Sequence, residues 1–161
     1  MAVKQTFVEN KKVLVTGVTG QFGRGLSYLL ARNNEVHGLC RFTDPQLMAE
    51  VDQWCEKLWQ VDGAEPDALR DMPGDYDCVF NEAVQWGHED TGTWVTFEKL
   101  MNINSFFPAR IMEHFGESGA SLVFGSTGGV YRASKNRDDL NEEDFTGLRG
   151  GSHPYEDTKL G

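Results

Sequence analysis

An apolar run, Val13-Leu14-Val15, leads through Thr16 into Gly17, Gly20 and Gly23, three glycines at three-residue spacing. Few local patterns restrict a fold more tightly. The run has the composition of a buried strand, Gly17 suits the tight turn after it, Gly20 lets backbone approach a ligand closely, and Gly23 lets the next helix press on a sheet. Residues 21–33 carry Phe22, Leu26, Leu29 and Leu30 at helical spacing, so an amphipathic helix with those four side chains turned inward is expected. Such a helix points its unpaired N–H groups at the space over the glycines, an arrangement that holds phosphate groups. A dinucleotide pyrophosphate is the expected occupant.

Strands and helices alternate from there on. Residues 35–40 are expected as a second strand, 45–57 as a helix carrying Leu47, Met48, Val51 and Trp54, 58–61 as a short third strand, and 66–70 as a helical turn. Residues 76–81 follow as a fourth strand, 95–115 as one or two helices interrupted near Pro108, and 121–124 as a fifth strand. The alternation predicts an α/β fold: a Rossmann-like, doubly wound parallel sheet covered on both faces. A chain of 161 residues is expected to form one domain, and its polar stretch 132–152 a loop.

Charge and cysteine usage narrow the functions. Fifteen Lys and Arg against 25 Asp and Glu give a net charge of −10, which repels nucleic acid and anionic membranes and leaves an anionic cofactor to local donors. Cys40, Cys55 and Cys78 lack C-x-x-C spacing and sit in or beside apolar segments, as reduced, buried thiols do. His37, His114 and His153 show no ligand spacing, so no metal site is expected. No run of about 18 apolar residues is present and residues 1–10 lack an apolar signal core, so a cytoplasmic location is expected.

Chemistry enters near the end of the chain. If a helix starts near Pro154, Tyr155 and Lys159 fall on one face. At an assumed ~5 Å and an effective dielectric of ~20, an ammonium stabilises a phenolate by roughly 3 kcal/mol, which lowers a tyrosine pKa by roughly two units. A tyrosine so placed exchanges protons near neutral pH.

Five segments then stand in a telling order: the loop Thr16 to Gly23, Asn81-Glu82-Ala83-Val84 after the fourth strand, Asn104 in the long helix, Ser126-Thr127-Gly128-Gly129-Val130-Tyr131 after the fifth strand, and Tyr155-x-x-x-Lys159. Together they resemble the extended short-chain dehydrogenase/reductase superfamily, its NAD(P)-dependent epimerase/dehydratase group, over nearly the whole chain. The resemblance implies hydride transfer between NADP or NAD and a carbinol or carbonyl carbon, with a nucleotide sugar as the expected substrate. It implies that Tyr155 is the acid/base, that Lys159 lowers its pKa and holds the nicotinamide ribose, and that Thr127 bonds the reacting oxygen, with Ser126 as the fallback. Asn104 matches a structural or proton-relay asparagine, with Asn102 as the competing alignment. Cofactor contacts are implied at Gly17, Thr19, Gly20, Gln21, Phe22, Gly23, Ala83, Tyr155 and Lys159, with Asp62 at the adenine amine. Trp86, Gly87 and His88 stand where the family places a loop beside the nicotinamide. Read without the resemblance, Ser126 and Thr127 suit a self-bonded turn, Asp62 a solvated turn, and Asn104 a helix cap.

Three departures from the family pattern matter. Arg41 follows Cys40 where NAD-preferring relatives carry an acid, and a guanidinium there suits a 2′-phosphate, so NADP is expected over NAD. Gly128-Gly129 stand where dehydratases carry an acid after the catalytic hydroxyl, which favours epimerisation or carbonyl reduction. Finally, the sequence stops at Gly161, whereas the family continues into a substrate-binding domain, so a fold truncated before that domain is expected. A non-catalytic NAD(P)-binding or redox-sensing module, or an inactive fragment, is the competing expectation. Phe106, Phe107, Ile111, Met112 and Phe115 on the long helix are expected in the core or at a homodimer face.

Overall fold

Five parallel strands form one sheet in the order β3-β2-β1-β4-β5. They are β1 (Lys12–Thr16), β2 (Glu35–Cys40), β3 (Lys57–Gln60), β4 (Cys78–Asn81) and β5 (Ser121–Phe124). The helices are α1 (Gln21–Leu30), α2 (Pro45–Val51), α3 (Phe97–Met101), α4 (Phe107–Gly116) and α5 (Pro154–Thr158). These elements come from a computed structural model that describes residues 8–87, 94–133, 141, 143–144 and 154–159. His88, His153 and most of the 132–152 stretch lie outside the described residues.

Alternation along the strands builds two cores, one on each face of the sheet. Val13, Val15 and Val36 pack with Val18, Val51 and Cys55 on the side of α1 and α2. Leu14, Leu39 and Val79 pack with Phe107, Ile111 and Phe115 of α4 on the other. This is the doubly wound α/β arrangement expected from the sequence, and burial on both faces explains why the centre of β1, Val13 to Val15, is apolar throughout. Cys40, Cys55 and Cys78 are free thiols; Cys55 is buried as expected, whereas Cys40 and Cys78 are only partly buried.

Several boundaries differ from expectation, each for a physical reason. Helix α1 stops at Leu30, and its buried residues are Gly23 and Ser27, while Phe22 is 76% and Leu29 58% exposed. The contact of Gly23 with the glycine loop sets the helix phase, and both Phe22 and Leu29 lie about 100–120° round from that stripe. Helix α2 ends at Val51 rather than at 57, and Lys57 opens β3. Asp44 caps its start, with Oδ1 accepting from Gln46 N at 2.8 Å. Residues 66–70 form no helix; they make turns such as Arg70 N–H to Asp67 O at 3.0 Å. Tyr76 precedes β4 and is a buried plug whose Oη meets His37 Nδ1 at 2.7 Å. Burial holds the His37 imidazole below its usual pKa.

The expected break in the long helix lies before Pro108 and is a widening rather than a gap. Residues Asn102–Phe106 form a π-helical turn, and the N–H of Phe107 reaches back five residues to Asn102 O. Pro108, lacking an N–H, cannot bond the Asn104 carbonyl as an α-helix requires.

Candidate dinucleotide and catalytic site

The site begins where the sheet order reverses, between the carboxyl ends of β1 and β4, the crevice where such sheets bind ligands. The buried Thr16 hydroxyl donates to Asn81 Oδ1 at 2.6 Å and accepts from Ala83 N at 3.2 Å, so the two strand ends are locked together. Gly17 turns the chain at φ +62°, and a Cβ there would lie 2.8 Å from Ala83 Cα. A Cβ on Gly23 would strike the Gly17 carbonyl, which is why α1 can begin so close to β1. Gly20 caps α1 without any side-chain bond, leaving first-turn N–H groups free for an anion.

A hollow runs across this loop from Arg41 and Asp62 past Gly17, Thr19 and Gly20 to Ala83 and Trp86. The glycines, the uncapped helix start and the hollow together fit a dinucleotide pyrophosphate. Of the expected contacts, Gly17, Thr19, Gly20, Arg41, Asp62 and Ala83 line this hollow, and Phe22 lines the neighbouring one. Gln21 opens α1, and Gly23 lies beneath the loop against Gly17. Asp62 also accepts from Ala64 N at 3.0 Å, a local turn contact. Thr19 Oγ1 lies 2.8 Å from Cys40 Sγ.

The neighbouring hollow gathers Ser126, Thr127, Tyr155 and Lys159 with Glu82 and Trp86. Tyr155 lies on α5 and Lys159 directly follows it, as the i, i+4 spacing predicted. Their electrostatics differ from the expectation. Lys159 Nζ donates to Gly125 O at 3.0 Å. Burial lowers the Lys159 pKa, against a raising effect of the Glu82 carboxylate. Burial, and then the Glu156 carboxylate, raise the Tyr155 pKa instead of lowering it. The ammonium is spent on a carbonyl, so it does not stabilise the phenolate in this state. Thr127 Oγ1 accepts from Gly129 N at 3.2 Å, the self-bonded turn that its sequence also allowed.

Asn104, not Asn102, is the asparagine at the junction. It is 4% exposed; its Nδ2 donates to Gln85 O and to Thr158 Oγ1, both at 3.0 Å, and its Oδ1 accepts from Gln85 N at 2.9 Å. It thereby joins the loop after β4 to α5. Sequence reading had no signal for the Thr16–Asn81 lock, for Thr158, or for the stacking of Trp86 on Tyr155.

The sequence matches the model of the NAD dependent epimerase/dehydratase family over residues 13–160. The chain belongs to that family. NAD or NADP is accordingly the cofactor of this chain, and the family is one of NAD-dependent enzymes. A search of curated proteins found no match.

Solved structures share the fold. Helicobacter pylori ADP-L-glycero-D-manno-heptose-6-epimerase is 22% identical with a TM-score of 0.74, over 94% of this chain and 49% of that one. Bacillus cereus UDP-glucuronic acid 4-epimerase, solved with NAD, is 22% identical with a TM-score of 0.73, over 92% and 49%. Methanobrevibacter ruminantium UDP-N-acetylglucosamine 4-epimerase, solved with UDP-N-acetylmuramic acid, is 17% identical with a TM-score of 0.77, over 95% and 48%. The chain spans about half the length of these relatives. Among the described residues, no helix is long and apolar enough to cross a membrane.

Proposed function

We propose that this chain supplies the cofactor half of an NAD(P)-dependent epimerase or carbonyl oxidoreductase that acts on a carbinol or carbonyl carbon of a nucleotide sugar. The observation that carries this reading is the convergence of Tyr155, Lys159 and Thr127 on one hollow beside the glycine loop. Bound NAD(P) supplies the hydride acceptor or donor. Tyr155 Oη exchanges the proton of the substrate hydroxyl, and Thr127 holds that oxygen, with Ser126 as the alternative hydroxyl. Lys159 turns from Gly125 O to the nicotinamide ribose, which brings its charge to bear on the phenol and offsets the burial that raises it. Asn104 positions α5 rather than touching substrate. The absence of an acid at Gly128-Gly129 supports epimerisation or carbonyl reduction over water elimination.

Exposed Phe106 and Met112, 49% and 52% accessible on the outer side of the long helix, support a homodimer face there, whereas Phe107, Ile111 and Phe115 belong to the core. The test is a panel of nucleotide sugars with NAD and NADP, comparing wild type with Tyr155→Phe in a protein that carries the substrate-binding half as well as this chain. Turnover at least ~100-fold lower in the variant, with an unchanged cofactor Kd, is the expected result. Equal turnover, or cofactor binding with no turnover of any sugar, would replace this reading with that of a binding module.

A further inference from the structure

The amino-terminal edge of the sheet lies at the opposite end from the glycine loop and carries three donor groups that the dinucleotide site does not use. His37 on β2 is held from behind. Its Nδ1 lies 2.7 Å from Tyr76 Oη, and that oxygen also accepts from Trp59 Nε1 at 3.1 Å. The ring is 8% exposed, and its other nitrogen, Nε2, lies 3.1 Å from Glu35 Oε1, two residues earlier on the same strand. Glu56, the residue before β3, is tied to β2 by its N–H to Val36 O at 2.9 Å. Its carboxylate arrives at the same point, so that one ligand atom from each of Glu35, His37 and Glu56 lies within 4.8 Å of the others.

Donor atoms about 3–4 Å apart are what an ion with bonds of about 2.1 Å requires, and the exposed Glu56 side chain is free to close the remaining distance. The nearby cations are engaged elsewhere. Lys12 Nζ is 2.8 Å from Asp75, Lys11 Nζ is 2.9 Å from Asp77, and Lys57 Nζ sits 3.7 Å over the Trp59 ring. Glu35 and Glu56 also line an open cleft, which gives an ion a path in and room for water.

We propose that Glu35, His37 and Glu56 form a binding site for a divalent transition-metal ion of the zinc type, with one imidazole nitrogen, two carboxylate oxygens and water from the cleft as ligands. In the metal-bound state Nδ1 carries the imidazole proton and donates it to Tyr76 Oη, whose two lone pairs serve His37 and Trp59. Nε2 then faces the ion with its lone pair. Mixed nitrogen and oxygen donors suit zinc, cobalt and nickel better than calcium or magnesium. The ion ties the start of β2 to the start of β3, and the set is assembled across strands, where no sequence spacing shows it.

The experiment titrates the chelator-treated chain with Zn²⁺ by calorimetry and with Co²⁺ by visible absorption near pH 7. One equivalent is expected to bind, to raise the Tm, and to give a cobalt spectrum without a thiolate charge-transfer band. Glu35→Gln and Glu56→Gln, both at exposed positions, are each expected to weaken binding at least ~10-fold with an unchanged circular dichroism spectrum. His37→Gln should do the same if it folds, and the two glutamate variants decide the matter if it does not. Zinc affinity weaker than about 100 µM would overturn the site. So would binding that survives both glutamate substitutions, or a thiolate band that assigns the ion to a cysteine.

Discussion

The indole of Trp86 stacks on the phenol of Tyr155, with ring centroids 4.8 Å apart and planes 29° from parallel. Trp86 lies in the loop after β4 and Tyr155 belongs to α5, so the pair stands between the hollow over the glycine loop and the one that holds Tyr155 and Lys159, both of which Trp86 lines. Trp86 is 60% exposed, which leaves indole surface open to whatever enters. NADH binding is therefore expected to quench Trp86 emission. Trp86→Phe, which keeps a flat ring against Tyr155, should remove most of the quenching while shifting the NADH Kd by less than ~3-fold. Quenching that persists in the variant would place the dinucleotide away from this ring.

Gly20 has ordinary extended backbone angles, φ −71° and ψ 164°, and a Cβ there would meet only the Gly17 carbonyl, at 3.0 Å. Gly20→Val should fold once the Gly17 carbonyl gives by a few tenths of an ångström, and its side chain should stand where the pyrophosphate approaches the start of α1. A loss of at least ~100-fold in NAD(P) affinity by calorimetry, with unchanged secondary structure, is expected. Unchanged affinity would remove this loop from the phosphate site.

Arg41 stands at the rim of the cofactor hollow, exposed, with only its carbonyl engaged by Gln60 Nε2 at 3.2 Å among the bonds it makes with described residues. A preference for NADPH over NADH is expected, and Arg41→Ala should reduce it about 10-fold, the weight of a charge-assisted hydrogen bond to a phosphate. Competition between the two cofactors measures it directly. A preference for NADH that survives the substitution would make Arg41 a solvent-facing residue.

Burial pushes the Cys55 thiol up to about 11 and the Tyr76 phenol up to about 12. Both groups stay protonated in the folded chain at pH values where the unfolded chain has already lost those protons. Their stabilising contribution is complete below about pH 9 and falls away as pH rises from there to about 12, by on the order of 2–3 kcal/mol per group. Urea unfolding across this range should show the decline, and Tyr76→Phe should flatten its upper part. Stability that stays level to pH 12 would contradict the burial of these two side chains.

The path of the chain was legible because its signals are local. Val13 to Gly23 carries the strand, the turn and the helix start within a few residues, and the two glycines pressed most closely on backbone among the described residues, Gly17 and Gly23, stand out in the sequence. What escaped reading is set by contacts between distant segments. The phase of α1 depends on Gly23 meeting Gly17, so helical spacing alone wrongly turned Phe22 and Leu29 inward. Tyr76 alternates like a strand residue but is withdrawn to plug the core beneath His37. Lys159 lies one helical turn from Tyr155, yet the carbonyl that engages it belongs to Gly125, far away in sequence, and burial of the phenol, then the Glu156 carboxylate, raise the Tyr155 pKa against the expected direction.

The wide turn at Asn102–Phe106 couples the length of one helix to the integrity of the whole site. On its carboxyl side Phe107, Ile111 and Phe115 are fully buried in the core, while within it Asn104 reaches Gln85 and Thr158 and Ser105 reaches the Thr158 carbonyl at 2.6 Å. Deleting any one residue of the turn would tighten it to an ordinary α-helix and rotate everything before it by about 100° relative to the core stripe. Either the aromatic residues would leave the core or Asn104 would let go of α5. The hollow that holds Tyr155 and Lys159 is thus sensitive to register: one residue more or fewer in this helix would misalign both side chains without altering any residue that lines it.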